Sequence, residues 1–125
     1  MTIEMIQIQT ERLRLRPLGA DDVDALVALD SDPEVRRFVD QAEAPSREEM
    51  LGRMPRLLRR YGDGAEPAFW AADHKQTGAF CGWFHLRPLD DDPGALDVGY
   101  RLRREWWGRG LATEGAAALV QRAFL

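Results

Sequence analysis

The chain has 125 residues, 45% of them hydrophobic, which is enough to fill one core and excludes a disordered or fibrous protein. Its 17 basic and 21 acidic residues give a net charge of −4, so the overall charge does not indicate nucleic acid or an anionic membrane as a partner. We expect a cytoplasmic protein, because no apolar run approaches the ~20 residues of a membrane span, residues 1–10 do not resemble a secretory signal, and the single cysteine cannot form an internal disulfide.

The first third of the chain predicts one strand and two helical segments. Residues 6–18 alternate between apolar and polar side chains, which predicts a half-buried strand with its leucines on the inner face. Acidic residues then precede an apolar pattern of helical spacing over 23–29, which predicts a first helix. Asp32 followed by Pro33 predicts a capped, short helical turn that includes residues 35–39.

The middle of the chain predicts a longer helix. Ser46 and Glu49 have the spacing of a capping box, and apolar residues recur at helical spacing from there to Leu58. Pro55 is expected to kink or interrupt this helix, since proline lacks an amide donor and crowds the preceding turn. The opposite side of the helix bears four arginines, which we interpret as a solvated face, with a contact to RNA or the ribosome as the alternative. They are Arg53, Arg56, Arg59 and Arg60.

The second half predicts three strands and a final helix. Residues 68–72 and 79–86 are aromatic-rich runs joined by a hairpin connection. A polar loop over 87–95 contains three consecutive aspartates, which either are simply solvated or attract a cationic amine. Residues 96–102 alternate as a further strand, and helical spacing resumes after Gly110. That strand is expected to place on one face Leu96, Val98, Tyr100 and Leu102.

The most informative stretch is residues 98–114, where a strand enters a turn with two glycines and a helix of small residues opens at once. Gly108 and Gly110 allow the backbone to approach a ligand closely and to adopt positive φ, and the first amides of a helix lie at its positive end. Guanidinium groups nearby suit phosphate oxygens. The pattern therefore predicts an anion site suited to a pyrophosphate. The arginines concerned are Arg101, Arg103, Arg104 and Arg109.

Two common phosphate-binding motifs are excluded at this turn. The dinucleotide fingerprint fails because Thr113 stands where a third glycine is required, and the P-loop pattern fails because no Gly-Lys-Ser/Thr sequence occurs. A strand, a Gly-x-Gly turn and a helix also occur together as a plain structural corner, which is the alternative reading of the turn.

The chain resembles the GNAT superfamily of acetyl-coenzyme A-dependent N-acetyltransferases, and within it the RimJ/RimL-like branch that acetylates ribosomal proteins. The resemblance covers nearly the whole chain from Thr10 onward and depends on the order of four segments. These are Thr-Glu-Arg-Leu-Arg-Leu-Arg at 10–16, residues 78–83, Val-Gly-Tyr at 98–100, and Trp-Gly-Arg-Gly-Leu-Ala-Thr-Glu at 107–114. One departure is Glu105, because the pyrophosphate signature of the superfamily begins with Gln or Arg at that position.

The resemblance implies how acetyl-coenzyme A would bind. Backbone amides of the glycine turn would hold the pyrophosphate, and the edge of the strand 96–102 would pair with the pantetheine arm. A backbone amide near Tyr100 would polarise the thioester carbonyl, and Arg103 and Arg104 would approach the 3′-phosphate. No metal is implied. The binding residues are Val98, Tyr100, Leu102, Arg103, Arg104, Gly108, Arg109, Gly110, Leu111, Ala112 and Thr113.

Direct attack of an amine on a thioester requires a base for the amine and an acid for the departing thiolate. Asp97 lies where many relatives carry an acidic residue and is the candidate base, with an ordinary outward-facing aspartate as the alternative. Tyr100 is the candidate donor to the thiolate, with a core or pantetheine contact as its alternative. His85 and His74 are weaker candidate bases. Cys81 is interpreted as a small buried hydrophobe and not as a nucleophile.

We therefore predict an acetyltransferase domain that moves an acetyl group from acetyl-coenzyme A to a primary amine of a small molecule or a protein N-terminus. The alternatives are an interaction protein that keeps the coenzyme A site without turnover, and a nucleotide-phosphate binder. The implied fold is α/β, with a mixed, mostly antiparallel sheet flanked by helices. Because relatives continue with a strand, a helix and final strands, residues 1–125 are expected to be one incomplete domain, truncated or completed by a partner such as a second copy. No membrane or nucleic-acid partner is expected.

Overall fold

The structure is a computed structural model that describes residues 6–37, 43–61, 65–89, 91, 92 and 94–124. Short 3-10 turns at Ala20–Asp22 and Arg104–Trp106 lead towards the first and last helices. The elements in chain order are β1 (Ile8–Gln9), β2 (Leu13–Pro17), α1 (Val23–Ser31), α2 (Pro33–Arg36), α3 (Arg47–Leu57), β3 (Arg60–Tyr61), β4 (Glu66–Pro67), β5 (Phe69–His74), β6 (Phe80–Pro88), β7 (Leu96–Leu102) and α4 (Leu111–Ala123).

Five strands form one sheet in the order β1-β2-β5-β6-β7, and each described pairing is antiparallel. The strands β3 and β4 pair separately as a small two-stranded sheet that the sequence pattern does not predict. The α/β class with a mostly antiparallel sheet and helices on both faces is confirmed, and β7 has the predicted bounds. Among the described residues, no helix has both the length and the apolar character that crossing a bilayer requires.

The single strand expected over residues 6–18 is wrong, because the chain reverses direction at Thr10. The amide of Thr10 donates to the carbonyl of Leu13 at 2.9 Å, and the Thr10 hydroxyl oxygen accepts from the Leu13 amide at 2.9 Å. As a result β1 folds back on β2 with Ile8 opposite Leu15. Two antiparallel strands keep the same two-residue alternation as one strand, so the pattern alone could not show the reversal.

Side-chain caps set the starts of α3 and α2 as the sequence predicts. The Ser46 hydroxyl accepts from the Glu49 amide and the Glu49 carboxylate accepts from the Ser46 amide, both at 3.1 Å. The Asp32 carboxylate likewise accepts from an amide in α2, while residues 38 and 39 of the predicted turn lie outside the described residues. The expected interruption at Pro55 is wrong, because α3 continues through it to Leu57. A proline so close to the helix end removes one donor and leaves little helix to disrupt.

The core has two parts, one on each face of the sheet. On one face, α4 packs over the leucines of β2 and over Trp70, Phe84 and Leu102. On the other face, α1 and α3 cover Leu18 and Ala71. Leu13 and Leu15 are both fully buried, which confirms the predicted inner face of β2. The edge strand β7 is therefore left between two helical layers, next to the glycine turn that leads into α4.

Candidate active site

The turn between β7 and α4 adopts a backbone that needs glycine at two positions. Gly108 has φ of 71° and Gly110 has φ of 78°, both in the left-handed region. Gly110 is the N-cap residue of α4, where it supplies no side-chain hydrogen bond to the amides of the first turn. The predicted role of both glycines in shaping the turn is thus supported by their conformation.

The amides of this turn have no acceptor of their own. Within the described part of the chain, none of the backbone N–H groups of residues 108–113 donates a hydrogen bond, and the first such bond of α4 runs from Glu114 to the Gly110 carbonyl at 3.1 Å. Unpaired amides at a helix N-terminus carry partial positive charge and attract anions. The turn lines a cavity of about 640 Å³ together with Val35, Tyr100 and Trp107. The arrangement can hold a pyrophosphate.

Hydrogen bonds from Arg12, near the start of the chain, hold the turn in place through Glu114 of α4 and through the turn itself. The Glu114 carboxylate accepts hydrogen bonds from the Arg12 amide at 2.9 Å, the Arg12 side chain at 2.8 Å, and the Thr10 hydroxyl. A second guanidinium nitrogen of Arg12 donates to the Arg109 carbonyl at 2.7 Å. Burial of Glu114 opposes its ionisation, but the donors on Thr10 and Arg12 hold the pKa of its carboxyl below the ordinary value. In the sequence these residues are marks of the family resemblance only, because contacts about one hundred positions apart leave no local pattern.

Two tryptophans brace the turn from its sides. The indole nitrogen of Trp107 donates to the Leu102 carbonyl at 2.8 Å, which ties the turn to the end of β7. The guanidinium of Arg109 lies 5.0 Å from the centre of the Trp106 ring, and that ring stacks on His74 at 4.8 Å. His74 therefore contacts the turn through an aromatic ring, which a purely solvated hairpin residue would not do.

The outer edge of β7 presents free backbone groups beside this turn. Hydrogen bonds from the Arg103 amide to Cys81 and from the Leu89 amide to Ala95 show that the odd-numbered residues of this register bond across to β6. The amides and carbonyls of Val98 and Tyr100 consequently point away from the sheet. Such an edge can accept an extended ligand as an additional strand, as the resemblance implies for pantetheine.

The alternation of β7 is confirmed, but only one residue of its predicted inner face is buried. Leu102 is 4% exposed and belongs to the core, whereas Val98 is 37% and Tyr100 is 55% exposed. The alternative reading of Tyr100 as a core residue is therefore wrong, because more than half of its surface is exposed. The centre of its ring lies 5.9 Å from that of Phe84.

The arginines expected around the turn differ in their ion-pair partners and in the face of the sheet to which they point. Arg103 pairs with Glu105 at 3.0 Å and Arg104 lies 3.5 Å from Asp32, so both already face a carboxylate. The guanidinium of Arg101 points to the opposite face of the sheet and pairs with Asp30 at 2.7 Å. Alternation along a strand would place Arg101 and Arg103 on the same face, but β7 ends at Leu102, so Arg103 and Arg104 belong to the turn that follows.

Asp97 lies on the α1 and α3 face of β7 and is part of a small polar cluster. Its carboxylate lies 2.9 Å from Nε2 of His85 and 3.6 Å from the guanidinium of Arg87. Gly99 makes this contact possible, because a Cβ at that position would come within 2.7 Å of the His85 ring. Asp97 is 39% exposed at its side chain, which leaves one side open to a ligand.

His85 is held in its neutral form. Burial lowers the pKa of its imidazole below the ordinary value, against the opposing effect of the Asp97 carboxylate. Its Nδ1 is buried and has no hydrogen-bond partner among the described residues. Burial also raises the pKa of the Cys81 thiol to about 12, in agreement with its interpretation as a buried hydrophobe.

The depressed pKa of His85 predicts a pH dependence of stability. Because the unfolded histidine titrates near 6.5 and the folded one below it, the stabilisation by neutral His85 is complete above about pH 6.5 and is lost as the pH falls towards the folded pKa. We expect the free energy of unfolding in urea to decrease from pH 7 to pH 5, and to decrease less in His85→Gln. An unchanged slope in His85→Gln would contradict the prediction.

A family model described as an acetyltransferase (GNAT) domain matches residues 12–125, which is most of the chain. The chain belongs to the GNAT acetyltransferase family. The match includes both Arg12 and the glycine turn that it fastens, so the two ends of the site belong to the same family domain.

Individual relatives agree with this membership. An uncharacterised N-acetyltransferase of Bacillus licheniformis is 29% identical over 96% of this GNAT chain and 67% of its own length. The FsC-acetyl coenzyme A-N(2)-transacetylase of Aspergillus fumigatus is 30% identical over 94% of the chain and 52% of its own length. The crystal structure of an acetyltransferase from Agrobacterium tumefaciens has a TM-score of 0.72 at 25% identity, over 99% of this chain and 70% of that one. The chain spans about half to two thirds of the length of its curated relatives.

Proposed function

We propose that this GNAT domain transfers an acetyl group from acetyl-coenzyme A to a primary amine by direct attack within a ternary complex. The observation that carries the proposal is the row of unpaired amides over residues 108–113 beside the open edge of β7. A pyrophosphate at the turn and an extended arm along Val98 and Tyr100 would use both sets of free backbone groups. The family membership and the name of the Aspergillus relative, an acetyl coenzyme A transacetylase, support the same donor.

The residues that would hold the donor follow from these free groups. Backbone amides of Gly108, Arg109, Gly110, Leu111 and Ala112 would bind the pyrophosphate, with the Thr113 hydroxyl beside them. Arg103 and Arg104 remain the proposed ligands of the 3′-phosphate, although each would have to leave or share its present carboxylate. The bound donor supplies the acetyl group as a thioester. An outward amide of β7 near Tyr100 would stabilise negative charge on its carbonyl oxygen.

The proposed base and the proposed acid, Asp97 and Tyr100, lie on opposite faces of β7. The amine nitrogen forms a bond to the acyl carbon and gives its proton to the Asp97 carboxylate, while the carbon–sulfur bond breaks and the thiolate takes a proton. His85 would position Asp97 through the 2.9 Å contact. Tyr100, on the α4 face and largely exposed, is the proposed donor to the thiolate.

Acetyl-coenzyme A is expected to raise the melting temperature of the protein. At a concentration of about one hundred times its Kd, the ligand stabilises the folded state by about 2.7 kcal/mol, which corresponds to a shift of roughly 10 °C for a chain of this size. The measurement is a thermal unfolding scan with and without ligand. Adenosine diphosphate serves as the comparison, because a general nucleotide-phosphate binder would respond equally to both. No shift at millimolar acetyl-coenzyme A would contradict the binding site.

Release of free thiol on addition of an amine panel separates an enzyme from a binding protein. Stabilisation by acetyl-coenzyme A without thiol release would favour the alternative, an interaction protein that has kept the site.

The acceptor itself, whether a small amine or a protein N-terminus as in the RimJ/RimL-like branch, is part of the proposal. A cytoplasmic location and a homodimer likewise stay predictions.

A further inference from the structure

A second cavity of about 650 Å³ lies on the face of the sheet opposite α4. It is bounded by α3, by the start of β5 and by β6 and β7, and the family resemblance assigned it no ligand. His85 and Arg87, the two residues that contact Asp97, both line it. Arg101 lines this cavity and also the cavity of the glycine turn. The second cavity therefore opens beside the proposed base and reaches the strand that separates it from the donor site.

The charge of this cavity is opposite to that of the whole chain. Six arginines and one aspartate line it, whereas the chain carries a net charge of −4. The aspartate, Asp30, is already paired with Arg101. In the described part of the chain, no acidic side chain lies within ion-pair distance of Arg53, Arg56 or Arg59. A local excess of this size attracts an anion, and guanidinium groups bind carboxylate and phosphate oxygens in pairs. Three of the four arginines expected on a solvated face are exposed as predicted, and all four also line this cavity.

The floor of the cavity is aromatic. The ring of Phe69 meets Trp83 edge-on at 5.3 Å and His85 at 5.5 Å, and Trp83 stacks on His85 at 5.8 Å. The guanidinium of Arg101 lies 5.3 Å above the Trp83 ring. Leu57 and Met50 of α3 add apolar surface. A ligand that fits this lining has an apolar or aromatic body and an anionic end.

We propose that the second cavity binds the acceptor, and that the acceptor is an amine which also carries an anionic group, a carboxylate or a phosphate. The inference rests on the proposed function, since it gives the acceptor of that reaction a chemical class. The anionic group would lie against the arginines of α3, the body would lie on the Phe69 and Trp83 rings, and the amine would face Asp97. The sequence offers another basis for acceptor choice, in which the aspartates of the loop 87–95 attract a cationic amine. The present proposal replaces it.

The direct test compares two pairs of amines that differ only in the anionic group. Phenylalanine is compared with 2-phenylethylamine, and phosphoethanolamine with ethanolamine, by ligand-observed NMR titration of the protein saturated with coenzyme A. We expect the anionic member of at least one pair to bind at least tenfold more tightly at low salt, with the preference decreasing as salt is raised. The pair that shows the preference identifies carboxylate or phosphate as the group recognised. Equal or reversed affinities in both pairs would overturn the proposal.

A pair of arginine variants locates the binding in the second cavity. Arg56→Gln/Arg59→Gln removes two exposed charges without breaking an ion pair in the described structure, so folding should be kept. The preference for the anionic amine is expected to fall at least fivefold in this variant. Arg47→Gln, in the same helix but outside the cavity, should leave the preference unchanged. An unchanged preference in the double variant would place the anion elsewhere and overturn the assignment.

The outcomes distinguish this proposal from the proposed function. If acetyl-coenzyme A stabilises the protein and thiol is released, but the two members of each pair bind equally, the acetyltransferase proposal stands and the acceptor class is wrong. If anionic amines bind with the expected dependence on Arg56 and Arg59 but no thiol is released, the cavity assignment stands and turnover fails. Binding of the amines is measured separately from turnover, so each result decides its own question.

Discussion

Gly108→Asp is expected to lower the affinity for acetyl-coenzyme A at least a hundredfold, or roughly 2.7 kcal/mol. The new carboxylate would lie among the unpaired amides of the turn, where it would occupy the positive end of α4 and repel a phosphate. A Cβ at this position meets nothing within 4 Å, so the substitution itself causes no clash. Isothermal titration calorimetry with acetyl-coenzyme A measures the loss.

Gly78→Asp is the matched control for this variant. Gly78 has φ of 75°, close to the 71° of Gly108, and its Cβ position is equally open, but it lies in the hairpin between β5 and β6. Both variants therefore carry the same backbone strain, on the order of 1–2 kcal/mol, and only one carries the charge at the turn. Equal affinities for the ligand in the two variants would contradict the site.

Asp97→Asn is expected to reduce the turnover number by a factor on the order of 10² to 10⁴, the usual contribution of a positioned general base. The amide keeps the size of the carboxylate and can still contact His85, so the structure of β7 should be preserved. Because Asp97 lies on the face away from α4, the affinity for acetyl-coenzyme A should stay within about twofold of wild type. Steady-state kinetics of thiol release, together with the ligand titration, measure both quantities.

Asp91→Asn is the control for this variant, since Asp91 lies in the exposed loop that precedes β7. It should leave the turnover number unchanged. If Asp97→Asn keeps full activity across pH 6 to 9, Asp97 is the ordinary strand aspartate that the sequence also allowed. The pH profile separates the two roles. Loss of a base changes how the rate depends on pH, whereas loss of a structural contact lowers the rate without changing that dependence.

Local signals in the sequence predicted the local structure well. The capping box at Ser46, the cap at Asp32 and the glycine turn all depend on residues within four positions of one another, and each forms as expected. The reversal at Thr10 was missed because its hydrogen bonds leave the alternation of side chains unchanged. The bounds of β7 agree with the prediction because the alternation of its side chains begins directly after the loop that contains Gly94.

The parts of the site that sequence could not supply depend on contacts between distant residues. Arg101 and Arg103 look equivalent in the sequence, yet one pairs with Asp30 across 71 positions and the other with a near neighbour. The four arginines of the α3 region have the pattern of a solvated face, and only the folded chain shows that they also line a cavity. Only the register between β6 and β7 brings His85 to Asp97 and shows that Gly99 makes room for the ring.

The hydrogen bonds between Arg12, Glu114 and the Arg109 carbonyl have a consequence for how the donor site forms. These contacts join residues that are about one hundred positions apart, so the shape of a turn only a few residues long is determined by closure of nearly the whole chain. Contacts of such separation have a large entropic cost and tend to form late in folding. An isolated peptide with the sequence of the turn and α4 would therefore lack the preformed site, and affinity for the donor reports that the first strands have docked against the last helix.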